Sequence, residues 1–215
     1  RQPGAIWESN GTLLETMLCN LGQSVSQRRV VADQPDALRQ CLRELAGDCD
    51  VVVSTGGVSA GDTDWIRSLV DDLGAVDFWK LFLRPGRPFA FGTVGDGVPF
   101  FGLPGNPVAA AITALQLLWP ALQLLEGQAE PELFPRVMVE LADPLPRRPG
   151  RPELARARLD TNAGGSLLAR VDGSQASSRI GSLQSSDLLL ELPAEAGPLE
   201  PGARLWAQVI RQRIF

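Results

Sequence analysis

The residues with the most chemical potential lie in three loops. The first is Ser54-Thr55-Gly56-Gly57-Val58-Ser59-Ala60-Gly61-Asp62-Thr63-Asp64. Within it, Gly57-Val58-Ser59-Ala60-Gly61 has the spacing of a nucleophile elbow. Such a serine needs a histidine as its base, and the chain contains none. Gly56 to Gly61 also has the spacing of a phosphate-binding P-loop, but Asp62 stands where a lysine is required. What remains is a Gly-rich turn after a strand and before a helix. Its backbone N–H groups, with Ser54, Thr55 and Ser59, can donate to an anion. Asp62 and Asp64 can hold a hard cation such as Mg2+ beside a phosphate. The alternative is that Asp64 only caps a helix and Gly56-Gly57 only makes a turn.

The second loop, Lys80-Leu81-Phe82-Leu83-Arg84-Pro85-Gly86-Arg87, carries three cations in an acidic chain. If a strand covers 76–83, Lys80 and Arg84 share a face and form an oxyanion site. The alternative is a solvated basic sheet edge. The third loop, Gly102-Leu103-Pro104-Gly105-Asn106-Pro107, is stiffened by its prolines. It opens a helix with Asn106 as N-cap and Pro107 at the first helical position.

The elements around these loops alternate. Leu13, Leu14, Met17, Leu18 and Leu21 repeat at helical spacing behind Ser9 and Asn10 and stop at Gly22. A strand is expected over 24–31, and a helix from Pro35 to Gly47. The β-branched run Asp50–Ser54 reads as a buried parallel strand, and a helix follows from Asp64 to Gly74. Strands are expected at 76–83, 88–94 and 98–102. A long apolar helix then runs from Asn106-Pro107 to Gly127, kinked by Pro120. This βα alternation predicts an α/β unit with a three-layer, mostly parallel sheet over residues 1–127. After Pro131 the chain becomes proline-rich. Short strands are expected near 136–142, 153–160, 166–171, 187–192 and 204–210, a small all-β barrel over 128–215.

Composition narrows the classes further. The chain has 215 residues and a net charge of −5, the wrong sign for a general nucleic-acid surface. No histidine and no tyrosine are present, which removes His-based catalysis and His metal sites. Cys19, Cys41 and Cys49 have no ligand spacing and suit a reducing, cytoplasmic compartment. No apolar run reaches the roughly 18 residues of a membrane span, so no membrane partner is expected.

Taken in order, the three loops resemble the molybdopterin molybdenumtransferases of the MoeA and gephyrin E-domain family. The quoted segments are Ser54–Asp64, Phe78-Trp79-Lys80 with Arg84–Gly92, and Gly102–Val108. Gly4–Asn10 and the β-rich tail extend the resemblance over nearly the whole chain. It implies a MogA-like molybdopterin-binding domain followed by a β-barrel. The activity it implies is Mg2+-dependent insertion of molybdate into adenylylated molybdopterin, with release of AMP. It places Asp33, Asp64, Lys80 and Arg84 among the catalytic residues and Asp62 and Asp64 on the metal. Substrate contacts would fall to Ser54, Gly56, Gly57, Ser59, Gly61, Pro85, Pro104, Gly105 and Asn106, with Arg156 and Ser178 from the barrel.

The family uses lysine where this chain has Arg84, and often where it has Arg87. It also has a preceding strand with an acidic loop, and two further domains, none of which is in this sequence. The chain alone is therefore expected to be poorly active. A homodimer is implied, with the molybdopterin adenylyltransferase and molybdoenzyme acceptors as partners. The other readings are a molybdopterin adenylyltransferase and a non-catalytic, gephyrin-like scaffold.

Overall fold

The computed structural model describes residues 8–32, 34–56, 72–171, 173 and 175–211. Helix α1 (Asn10–Asn20) begins after Ser9 and is closed by Gly22 at φ +87°. Helix α2 (Pro35–Asp48) starts with its proline in the first turn. Four strands form one sheet: β1 (Val52–Thr55), β2 (Gly74–Lys80), β3 (Pro88–Val94) and β4 (Val98–Leu103). Their order is β1-β4-β3-β2. The long helix follows as α3 (Pro107–Thr113), a π-helical stretch (Ala114–Leu118) and α4 (Trp119–Leu125).

The expected mostly parallel sheet is corrected here. Among the described strands of this sheet, β1 and β4 alone pair in parallel, while β2–β3 and β3–β4 are antiparallel. The short connections 81–87 and 95–97 explain this, since a parallel crossover needs a dozen or more residues. No strand forms over 24–31. The expected strand 76–83 instead starts at Gly74 and ends at Lys80. The expected helix from Asp64 lies mostly outside the described residues.

Sheet residues alternate between two cores. Val52, Val76, Ala90, Val94 and Phe100 pack with Leu42, Leu45 and Ala46 of α2. Phe89, Phe101 and Leu103 pack with Leu14, Met17 and Leu18 of α1 and with Val108, Ile112, Leu115 and Leu118. A side-chain period of two drives this division.

The expected break at Pro120 takes a specific form. A proline in a helix removes one N–H donor and crowds the carbonyl four residues back. The turn before it widens, and the Trp119 N–H reaches the Ala114 carbonyl. The helix Pro107–Leu125 is long and apolar enough to cross a membrane, and two thirds of its apolar window is buried in the fold. This corrects the expectation that no such run exists. Its hydropathy matches a helix surrounded by core.

The second unit is a closed barrel in the order β5-β7-β6-β8-β9. Its strands are β5 (Arg136–Leu141), β6 (Glu153–Thr161), β7 (Leu167–Arg170), β8 (Leu188–Leu192) and β9 (Arg204–Val209). A single turn, α5 (Gly181–Gln184), precedes β8. The barrel has its own core around Val139, Leu141, Leu188 and Leu190. Leu154, Leu183, Leu189 and Ile210 instead join the core beneath the long helix. Burying each such side chain contributes about 1.5–3 kcal/mol, so barrel and sheet are held as one body. Gln116 and Gln208 add a reciprocal amide pair across the seam, at 2.8 and 3.3 Å.

The Thr113 hydroxyl is buried without a hydrogen-bond partner. Replacing it by a methyl group removes a desolvation cost. We expect Thr113→Val to raise stability by up to about 1 kcal/mol in urea denaturation. A loss of that size would show that the hydroxyl is bonded in solution.

Candidate functional site

Strand pairing brings the three loops to one edge of the sheet. Thr55 pairs with Leu103, Gly102 with Ala90, and Lys80 with Pro88. The carboxyl ends of β1, β4 and β2 therefore face the same way, which is where ligands of α/β sheets bind. Lys80 lies three strand spacings from Thr55, about 14 Å across the sheet.

Gly56 closes β1 at φ +80°, and its N–H donates to the Leu103 carbonyl at 3.2 Å. A Cβ built on Gly105 would sit 3.4 Å from the Gly56 Cα, so the first and third loops touch. The Asn10 amide donates to the Gly105 carbonyl at 2.8 Å and ties α1 to this point. Asn106 takes the N-cap position before Pro107, as expected, but its side chain makes no capping bond. The Val108 N–H is instead taken by the Ser177 carbonyl at 3.0 Å, which draws the barrel's 175–180 turn over the helix start. Ser54 and Thr55 are half-buried, Pro104 is buried, and Gly105 and Asn106 are exposed.

The second loop departs from its expected geometry. Because β2 ends at Lys80, Arg84 does not share a strand face with it. The Leu81 N–H returns to the Arg87 carbonyl at 2.7 Å, and the segment between turns toward the barrel. There the Arg84 N–H donates to Pro152 and its carbonyl accepts from Leu154, both at 2.9 Å. Arg84 thus acts as a short extra strand beside Glu153. The Arg84 guanidinium lies 3.6 Å from the Glu153 carboxylate. Pro85 is buried behind a cis Arg84–Pro85 bond, while Lys80 and Arg87 are exposed.

Arg156 on β6 is 2 % exposed. Burial pushes its guanidinium below the usual arginine range, and the nearby Glu153 carboxylate opposes that shift. Gln175 brackets its backbone, accepting from the Arg156 N–H at 2.8 Å and donating to its carbonyl at 3.1 Å. The Arg156 Nη2 reaches the Ala176 carbonyl at 3.4 Å. Ser178 is exposed on the same turn. Arg84 thus meets Glu153 from a different unit of the fold, and Arg156 lies buried three residues further along β6. Neither Glu153 nor Gln175 was among the expected site residues. Their roles come from the docking of loop 81–87 on β6, for which no sequence spacing codes.

Asp33, Gly57, Ser59, Gly61, Asp62 and Asp64 lie outside the described residues. Among the described residues, no group of three or more His, Cys, Asp or Glu side chains could hold a metal.

A mixed sheet flanked by helices and a closed five-stranded barrel, joined over a shared core, define a protein of two joined units. A family model described as "Probable molybdopterin binding domain" matches residues 1–124, and one described as "MoeA C-terminal region (domain IV)" matches 138–209. The chain belongs to this molybdopterin-binding, MoeA-type family. It is 34 % identical over 214 residues to the molybdenum cofactor synthesis protein cinnamon of Drosophila melanogaster, covering 97 % of this chain and 35 % of that protein. It is 29 % identical to the molybdopterin molybdenumtransferase of Haemophilus influenzae, covering 94 % and 50 %. The chain thus spans between a third and a half of these relatives. Its fold matches a molybdopterin biosynthesis moeA protein from Pyrococcus horikosii at a TM-score of 0.78 and 24 % identity, covering 97 % of this chain and 49 % of that one.

Proposed function

We propose that this chain is the catalytic part of a molybdopterin molybdenumtransferase. It inserts molybdate into adenylylated molybdopterin and releases AMP, in molybdenum cofactor biosynthesis. The observation that carries this reading is the meeting of the Gly56 and Pro104–Asn106 loops at the carboxyl edge where β2 ends in Lys80, with Arg84 docked on β6 beside Glu153 and Arg156 buried on the same strand. Molybdate and a pyrophosphate are both anions, and the chain must hold them together against their repulsion. Fixed guanidinium groups can do this without reorganising. Lys80 adds a charge with no ion pair to any described residue. No protein nucleophile is required. The molybdopterin adenylyltransferase alternative leaves the docked barrel without a role.

The finer reading keeps residues 1–127 as the molybdopterin-binding domain and 128–215 as the barrel domain, with helices layered on both faces of the sheet. Any Mg2+ would rest on Asp62 and Asp64, where it would neutralise phosphate charge. A cytoplasmic homodimer, receiving substrate from an adenylyltransferase and passing cofactor to molybdoenzymes, completes the proposal.

The test follows AMP released from adenylylated molybdopterin as molybdate is added to the full protein. Lys80→Ala should slow that release by on the order of 2–4 kcal/mol in barrier and leave the melting temperature unchanged, because Lys80 is exposed. Wild-type rates in this variant would remove Lys80 from the site. Asp64→Asn should weaken the Mg2+ requirement, whereas a helix cap would accept asparagine almost silently.

A further inference from the structure

Asn10 is a buried polar side chain that the function proposed above leaves without a task. It is 8 % exposed at the start of α1. Asparagine is a poor helix former, because its short amide competes for nearby backbone groups. Here the helix start is closed by Glu8, whose Oε1 accepts from the Gly11 N–H at 2.7 Å. The Asn10 amide is left for a distant partner. It donates to the Gly105 carbonyl, 95 residues along the chain, at 2.8 Å.

Both ends of this bond are held. Leu14, Met17 and Leu18 of α1 share a core with Val108 and Ile112 of α3. Arg28 braces the first turns of α1 through the Thr12 hydroxyl at 2.8 Å and the Glu15 carboxylate at 3.0 Å. Gly105 is exposed, so water can solvate its carbonyl and the bond adds little to folding. What the bond fixes is the plane of one peptide. Arg84–Pro85 is the one cis bond among the described residues, so Gly105–Asn106 is trans. In a trans peptide the C=O and the N–H point in opposite directions. With its carbonyl held by Asn10, this unit turns the Asn106 N–H away from α1. That N–H has no hydrogen-bond partner among the described residues. Tilting the plane would also disturb the first loop, since Gly105 packs against the Gly56 Cα.

We infer that Asn10 is a positioning residue for substrate binding. It aims the Asn106 N–H at an anionic oxygen of the substrate and sets the gap between the Gly105 and Gly56 loops. Asn10 itself touches no substrate. The inference rests on the reading of Pro104–Asn106 as substrate contacts, and it uses neither arginine of the barrel seam. Groups that hold a contacting group in place decide whether its geometry is productive, and a shift of about 1 Å can cost on the order of a hundredfold.

Steady-state AMP release by the full protein at saturating molybdate tests this in Asn10→Leu and Asn10→Asp. Leucine keeps the approximate volume and removes the donor. Aspartate keeps the shape and sets a carboxylate against the Gly105 carbonyl. In both, the KM for adenylylated molybdopterin should rise at least about tenfold while kcat changes by less than about threefold, the pattern of lost binding. Equilibrium binding of adenylylated molybdopterin without molybdate should weaken by the same factor, with aspartate the worse of the two. Asn10→Leu should melt near the wild-type temperature. A merely structural role would instead lower the apparent kcat through the unfolded fraction and leave KM unchanged. The inference is overturned if Asn10→Leu keeps KM within about threefold of wild type, if only kcat falls, or if neither variant folds. An unchanged KM beside normal wild-type turnover overturns this inference alone. A wild-type protein without molybdate-dependent AMP release overturns the proposed function and this inference with it.

Discussion

Arg156→Ala is expected to cost about 3–5 kcal/mol of folding stability. The side chain is among the largest that are fully buried, and its Nη2 reaches the Ala176 carbonyl. Truncation leaves a cavity beneath the 175–176 turn and removes a charge whose attraction to Glu153 opposes the cost of its burial. Arg84 remains 3.6 Å from that carboxylate but is itself exposed, so it replaces little of the lost interaction. Arg156→Met separates structure from function. It keeps the volume without the charge, and such swaps of buried ions are often neutral within about 1 kcal/mol or better. Guanidinium chloride denaturation should therefore show a large loss for alanine and a small one for methionine, while molybdate binding falls in both. Full molybdate binding by Arg156→Met would make Arg156 purely structural. A loss below about 1 kcal/mol in Arg156→Ala would contradict its burial.

Gly86→Ala should be comparably damaging, through the backbone. Gly86 is buried at φ +110°, a conformation that costs a residue with a Cβ about 1–3 kcal/mol. The new Cβ would also lie 2.5 Å from the Thr113 Oγ1 on α3, and overpacking of that kind costs about 1–3 kcal/mol more. Either the helix or the loop must move. The loop is the softer partner, so Arg84 should shift from Glu153 and molybdate binding should fall along with stability. Thr113→Ala removes the clash but not the strained φ, so adding it to Gly86→Ala should restore only part of the loss. A neutral Gly86→Ala would show that the loop is not packed against α3 as described.

Much of the fold was legible because its signals are local. The barrel strands follow short apolar runs broken by prolines and glycines. They match the expected ranges within one or two residues at each end, from Arg136–Leu141 to Arg204–Val209. Pro35, Gly22 and Pro107 stand at helix boundaries because their backbone chemistry suits no interior position. Pro120 announced a disturbed helix, although the π-turn that absorbs it depends on how the surrounding core packs. Val25 and Val31, by contrast, read as strand, yet 24–31 forms none, since a strand exists only where a neighbour supplies its hydrogen bonds.

The sequence by itself determined which residue types stand at the sheet edge: the glycines, the hydroxyls of Ser54 and Thr55, and the cation Lys80. It also determined two units, one alternating and one β-rich, because periodicity and turn chemistry are written residue by residue. Only the tertiary structure decided that the sheet is mixed, that Arg84 leaves Lys80 to pair with β6, and that Glu153 is the carboxylate it meets there. It alone brought Leu83 onto Arg151, 68 residues away. Those outcomes depend on which strand edge finds which partner once the shared core has closed, and no local pattern along the chain carries that information.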